Sequence, residues 1–322
     1  MEWQDARRSD NVEDRRGDGG IVDGGGGGGI GLGGGGLGLG AIVVLALIGY
    51  VTGIDPRVLI GGAEVIAGRG GASQYNSDPY GGSAPRPQRQ AQTMGSVRTP
   101  DAGQSVGAAA TDPMSDFVAA VLGEIEDVWT QQLPAQAGVD YVKPRLVLYS
   151  GVTRSGCGQA QTAMGPFYCP IDRKVYLDMA FFAEMKRKLG GGGDFAYAYV
   201  IAHEVGHHVQ NLLGILPRVR QQQEGSDRQR SNGLSVRLEL QADCLAGVWA
   251  ANADRRWHIL DAGDAQKAEA TAAAIGDDTL QKASRGYAVP DSFTHGTSQQ
   301  REKWLTAGLE TGKVKSCNTF AQ

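Results

Sequence analysis

Several ingredients are scarce in this sequence of 322 residues, and each scarcity removes a class of protein. Cysteine occurs four times and never as Cys-x-x-Cys, which excludes a small disulfide scaffold and the usual paired-cysteine metal sites. No basic excess exists: 31 Lys and Arg face 35 Asp and Glu, a formal charge of −4. No overall positive field therefore draws the chain to nucleic acid. Histidine occurs only five times, and charge is absent altogether from residues 24–54.

What is abundant is glycine. There are 49, and 16 of them fall within residues 17–40. The Gly-X-Y period of collagen is missing, and the remainder of the chain has ordinary composition. The glycine run leads into residues 37–54 (LGLGAIVVLALIGYVTGI), 18 residues of apolar and Gly character. A bilayer-crossing helix needs about 20 such residues, so one transmembrane helix is expected here. A secretory signal peptide would have a shorter apolar core and a small-x-small cleavage site, and none follows. Arg7, Arg8, Arg15 and Arg16 precede the run, whereas Arg57 and Arg69 follow it. By the positive-inside rule, residues 1–36 are expected in the cytoplasm and the chain beyond residue 56 outside, as a single-pass protein of the cell membrane. Residues 55–111, rich in Gly, Ser, Gln and Pro, read as a flexible linker, and the folded domain is expected over 112–322.

Within that domain, Asp112-Pro113 opens a helix with Phe117, Val121, Ile125, Val128 and Trp129 on its apolar face. Residues 145–150 and 174–178 read as strands, and helical periodicity dominates 179–189, 194–213, 234–253, 264–284 and 297–309. A small sheet packed on mostly helices is an α+β domain.

One of those helices contains His203-Glu204-Val205-Gly206-His207. Residues i and i+4 share a helix face, so both imidazoles can reach one zinc ion while Glu204, one step round, reaches a water molecule instead. His208 points off that face and reads as a packing residue; His258 reads as structural. Two histidines leave the ion short of a third protein ligand. The long metzincin pattern is excluded because Leu213 stands where it needs histidine. Downstream, Glu239 and Asp243 are again i and i+4, in the apolar setting of Leu238, Leu240, Ala242 and Leu245. Glu239 is expected to complete the metal set, with Asp243 orienting a ligating histidine.

HEVGHH, then ELQADCLAG, then His295-Gly-Thr-Ser-Gln-Gln-Arg301 resembles the neutral zinc metallopeptidase family of single-span bacterial membrane proteins. The resemblance covers the whole domain. It implies a zincin-like, gluzincin-type fold and one Zn²⁺ held by His203, His207 and Glu239. The expected activity is hydrolysis of a peptide or protein substrate, with Glu204 as general base. His295, with Tyr287 as second choice, is the candidate donor to the oxyanion. Strand 174–178 is the expected edge for an extended substrate. Two other functions remain open: a catalytically idle zincin-like binding module, and an amidase of cell-wall peptides.

Four cysteines outside the cytoplasm allow three pairings. Cys157 and Cys169, flanking a short loop, are the expected local pair, which leaves Cys244 with Cys317. Residues 217–233, polar and carrying several arginines, read as a solvated connector or a short exposed helix. Nothing in the sequence fixes an oligomeric state.

Overall fold

The computed structural model describes residues 1–17, 112–188 and 193–321. The expected span at 37–54 and linker at 55–111 lie outside the described residues. No helix among the described residues is long and apolar enough to cross a membrane.

The fold is α+β, rich in helix with two small sheets. Its first element, β1 (Val12–Asp14), pairs in parallel with β2 (Arg145–Tyr149), Val12 opposite Leu146 and Asp14 opposite Leu148. Residues 1–17 are thus part of the folded unit, which the expected boundary at residue 112 leaves out. The four arginines that suggested an orientation signal are engaged in the fold. Arg7 binds Glu126 and Asp127, Arg8 binds Asp116, Arg15 binds Glu13, and Arg16 binds Asp14 and Asp112. Arg7 and Arg8 pair with carboxylates more than a hundred residues away in sequence, contacts that counting charges near the apolar run does not reveal.

The helix α1 (Pro113–Ala137) begins as expected: Asp112 accepts hydrogen bonds from the backbone of Met114 and Ser115, with proline at the first helical position. After β2 come a hairpin of β3 (Val152–Ser155) and β4 (Gly158–Gln161), then β5 (Phe167–Cys169) and β6 (Lys174–Asp178). The Cys157–Cys169 disulfide ties the hairpin's turn to β5. The main sheet runs β1-β2-β6-β5, with β6 parallel to β2 and antiparallel to β5. Strand β6 is therefore internal, which corrects the expectation that it offers a free edge to substrate. Its nearly continuous burial, from Val175 to Asp178, is what two-sided pairing requires.

The helices are α2 (Met179–Lys188), α3 (Gly193–Leu212), α4 (Ile215–Glu224), α5 (Arg228–Trp257), α6 (Asp264–Ala274), α7 (Asp277–Arg285) and α8 (Ser298–Thr311). The single helix expected over 264–284 is broken between α6 and α7. A Cβ on Gly276 would sit 2.3 Å from the backbone N of Ser298, so the chain approaches the start of α8 too closely for an ordinary helix residue. Helix α3 is buried almost all round, from Phe195 to Gln210, as a central helix of a core must be.

Glycine sets how closely α5 and its neighbours cross. A Cβ on Gly308 of α8 would lie 2.0 Å from the Cys244 carbonyl oxygen of α5, and one on Gly247 would lie 2.4 Å from the Leu305 carbonyl oxygen. Gly206, inside the histidine motif, faces Ala242 of α5 in the same way, at 3.0 Å. The Cys244–Cys317 disulfide then fastens the C-terminal segment to α5 at the same crossing. Overpacking such a contact costs about 1–3 kcal/mol. Gly308→Ala should therefore lower the denaturation midpoint in proportion. Exposed Gly233 of α5, with nothing within 4 Å of its would-be Cβ, should instead gain up to about 1 kcal/mol as Ala from helix propensity. Equal responses at the two positions would contradict the close-crossing account.

Candidate metal centre

Helices α3 and α5 cross so that the two sequence motifs meet. His203, His207 and Glu239 each offer a ligand atom, and these atoms lie within 4.8 Å of one another. Nε2 of His203 is 3.2 Å from Glu239 Oε2, and Nε2 of His207 is 3.5 Å from Glu239 Oε1. The other ring nitrogen of each histidine is already engaged. Nδ1 of His203 donates to Asp243 Oδ1 at 2.8 Å, and Nδ1 of His207 donates to Gln210 Oε1 at 2.8 Å. Both imidazoles are thereby turned with Nε2 towards Glu239, the tautomer and orientation a metal ligand needs.

The electrostatics fit a divalent cation. Burial would depress the His203 imidazole, but Asp243 and Glu239 outweigh it and lift it to about 10. Burial opposes ionisation of Glu239, yet His207, His203 and His295 hold its carboxyl below the ordinary carboxylate range. Two imidazoles and one carboxylate, converging with their outer nitrogens occupied, form the donor set of an open zinc site. Glu204 sits beside them with its carboxyl raised by burial, partly offset by His203 and His207, and with the Tyr168 backbone N–H of β5 next to it.

Three partners escaped the sequence reading. Arg301 of α8 is buried and donates from Nε to Asp243 Oδ2 and from Nη2 to Oδ1, both at 2.8 Å. Tyr199 donates to the same Oδ1 at 2.6 Å. Gln210 is the third. Besides accepting from His207, it donates to the Leu238 carbonyl at 2.7 Å and to Gln241 Oε1 at 3.1 Å, and Gln241 donates to the Cys317 carbonyl at 2.8 Å. Arg301 stood within the motif that carries the resemblance. Gln210 follows His207 by three residues on one helix, a spacing that could have suggested the contact.

His295 lies against the same cavity and is buried. Its ring Nδ1 is 3.1 Å from Asp277 Oδ1, while the backbone N–H groups of Thr294, His295 and Gly296 all donate to Asp277 Oδ2. Asp277, in the first turn of α7, thus fixes both the loop and the ring. Tyr287 is 59% exposed and does not line the cavity. His208 is fully buried, between the Tyr168 hydroxyl at 2.9 Å and the Val142 carbonyl at 2.6 Å, and burial depresses it to about 4; its role is packing. His258 ends α5 in a left-handed conformation, φ 55°. The cavity, about 270 Å³, is walled by Phe167 and Tyr168 of β5, by α3 and by one face of α4.

Partners of ligating histidines are typically worth 10–100-fold in metal affinity, about 1.4–2.8 kcal/mol. Asp243→Asn should weaken zinc binding by about that factor, and Gln210→Met by a smaller one, in competition with a chelator of known affinity. Unchanged affinity in both variants would contradict the orienting role.

The profile of the family described as "Putative neutral zinc metallopeptidase" matches residues 1–90 and 80–320. The chain is 45% identical over 322 residues to "Uncharacterized protein YpfJ" of Escherichia coli K12, covering 100% of this chain and 99% of that one. It is 43% identical over 214 residues to "Uncharacterized protein Rv2575" of Mycobacterium tuberculosis H37Rv, covering 63% of this chain and 70% of that one. No solved structure matches. With its His-His-Glu cluster and a profile match over nearly its whole length, the chain belongs to the neutral zinc metallopeptidase family.

Proposed function

We propose that this protein is a zinc-dependent peptidase with a zincin-like catalytic domain. The observation that carries the reading is Glu204, buried beside His203, His207 and Glu239 at the wall of a cavity. A site that merely held zinc for structure would need no such carboxylate and would close its fourth position with protein.

His203, His207 and Glu239 would hold the ion, which supplies Lewis acidity to the scissile carbonyl and acidifies water. Glu204 accepts a proton from the attacking water as its oxygen bonds to the carbonyl carbon. The same carboxyl then delivers that proton to the amide nitrogen as the C–N bond breaks. Its raised pKa favours both transfers, because a base held closer to neutrality accepts and releases a proton more evenly. His295, braced by Asp277, is placed to donate to the oxygen that gains charge. Strand β5 replaces β6 as the edge for an extended substrate: it ends the sheet, and Phe167 and Tyr168 line the cavity.

The proposed location is outside the cytoplasm, with the apolar residues 37–54 as the contact to the membrane and no net crossing by them. Support comes from the two disulfides, which persist in oxidising compartments, and from the apolar run itself.

Glu204→Gln should leave zinc stoichiometry at one per chain and lower peptide hydrolysis by about 10²–10⁴-fold. Retained zinc with undiminished hydrolysis would remove Glu204 from the chemistry. Loss of both zinc and fold would be separated from this by the protein's thermal transition.

A further inference from the structure

We propose that Arg220 is the anchor for a substrate carboxylate, so that the preferred peptide carries an acidic side chain or a free C-terminus close to the scissile bond. This rests on the peptidase reading and names the substrate class for that same cleft. The polar stretch after α3, by sequence a solvated connector or a short exposed helix, folds in part as α4 and presents one face to the cavity: Leu216, Arg220 and Gln223, at i, i+4 and i+7. Leu216 and Val219 are buried, so the helix that carries Arg220 is fixed against the domain.

The other charges of the cavity are already committed. His203, His207 and Glu239 form the metal set, Glu204 is the base, His295 is held by Asp277, and Arg301 is neutralised by Asp243. Arg220 remains. Among the described residues no carboxylate lies within 4.0 Å of its guanidinium, unlike Arg7, Arg8, Arg15 and Arg16 at the arm. The side chain is exposed to solvent where it lines the cavity; desolvation by the neighbouring protein lowers the guanidinium from its ordinary value, and the Tyr168 hydroxyl opposes that shift. An exposed guanidinium at the cavity wall without a counter-charge is completed by a carboxylate in bidentate geometry.

Three matched peptides decide it: a neutral one with an amidated C-terminus, the same peptide with Gln→Glu at successive positions, and the neutral peptide with a free C-terminal carboxylate. Wild-type protein should favour one of the two carboxylate arms by about 10-fold or more in kcat/KM, and the favoured arm identifies the source. Arg220→Gln should abolish that preference while hydrolysing the neutral peptide within about 2-fold of wild type, and Arg220→Lys should restore part of it. Equal rates on all three peptides, or a preference that survives Arg220→Gln, would overturn the proposal and leave the peptidase reading standing. If no peptide is cleaved, the peptidase reading fails instead. Fluorescence anisotropy with the same labelled peptides then still decides Arg220, through binding of the carboxylate arms that is lost in Arg220→Gln or is not.

A second inference is carried independently by the first seventeen residues. We infer that residues 1–17 lie on the same side of any membrane as the catalytic domain. Glu126 of α1 is fully buried, and the arm supplies three of its four partners: Arg7 Nη2 at 2.8 Å, Ser9 Oγ at 2.7 Å and Asn11 Nδ2 at 2.7 Å, with Lys143 as the fourth. The fit is close. A Cβ on Gly123 of α1 would lie 2.1 Å from the Arg7 carbonyl oxygen. Trp3 packs edge-on against Phe117, and β1 completes the sheet beside β2. Paired strands lie about 4.8 Å apart, whereas a single crossing by residues 37–54 would put some 30 Å of hydrocarbon between Val12 and Leu146. Residues 1–17 and the domain therefore share one side, and export of the domain carries the arm with it.

In the full-length protein, a specific protease site inserted after Gly20 and another at the C-terminus, probed in intact spheroplasts and in lysed cells, report the side of each. Both cut or both protected in spheroplasts, and both cut after lysis, is the expected result. One cut and the other protected in spheroplasts would overturn the inference.

Discussion

The carboxylate of Asp243 is the point on which the rest of the structure turns. It is fully buried, and burial alone would keep it protonated; Arg301 and His203 instead hold it at about 2. Its two oxygens join three helices: Arg301 reaches it from α8, Tyr199 and His203 from α3, and its own backbone belongs to α5. A buried charge without partners would be costly, so the three helices are compelled to meet here. The glycines at 206, 247 and 308 let them approach closely enough to do so. The orientation of His203 in the metal cluster follows from this arrangement.

The second histidine is oriented by different means. His207 relies on Gln210, whose amide is held by Leu238 and Gln241, and Gln241 is held by the Cys317 carbonyl. The disulfide from Cys244 to Cys317 therefore does more than restrain a long loop: it fixes the tail that ends the hydrogen-bonded chain behind the metal. His295 has a third support in Asp277, at the start of α7. Each imidazole of the site thus has its own neighbour, drawn from a different element.

The sequence exposed the parts of this site that are local. His203, Glu204 and His207 are legible because a helix brings i and i+4 together regardless of tertiary context, and Glu239 and Asp243 repeat that logic. Both disulfide pairs were legible from spacing and number. Arg301 and Asp277 were illegible as partners, since each contacts a residue 18 to 58 positions away and no periodicity encodes that. The short strands β3, β4 and β5 went unread for a related reason: three or four residues carry too little alternation to register. The packing of the arm at residues 1–17 was illegible because Arg7 meets the buried Glu126 119 positions away, and no local pattern encodes that contact.

The central claim is that His203, His207 and Glu239 hold one zinc ion while Asp243 and Gln210 aim the imidazoles. Zinc K-edge absorption on the purified full-length protein tests it most directly. The account predicts two nitrogen scatterers with imidazole outer-shell features at about 2.0–2.1 Å, and oxygen ligands at about 2.0–2.2 Å. Sulfur scatterers at about 2.3 Å, or a shell of oxygen alone, would contradict it.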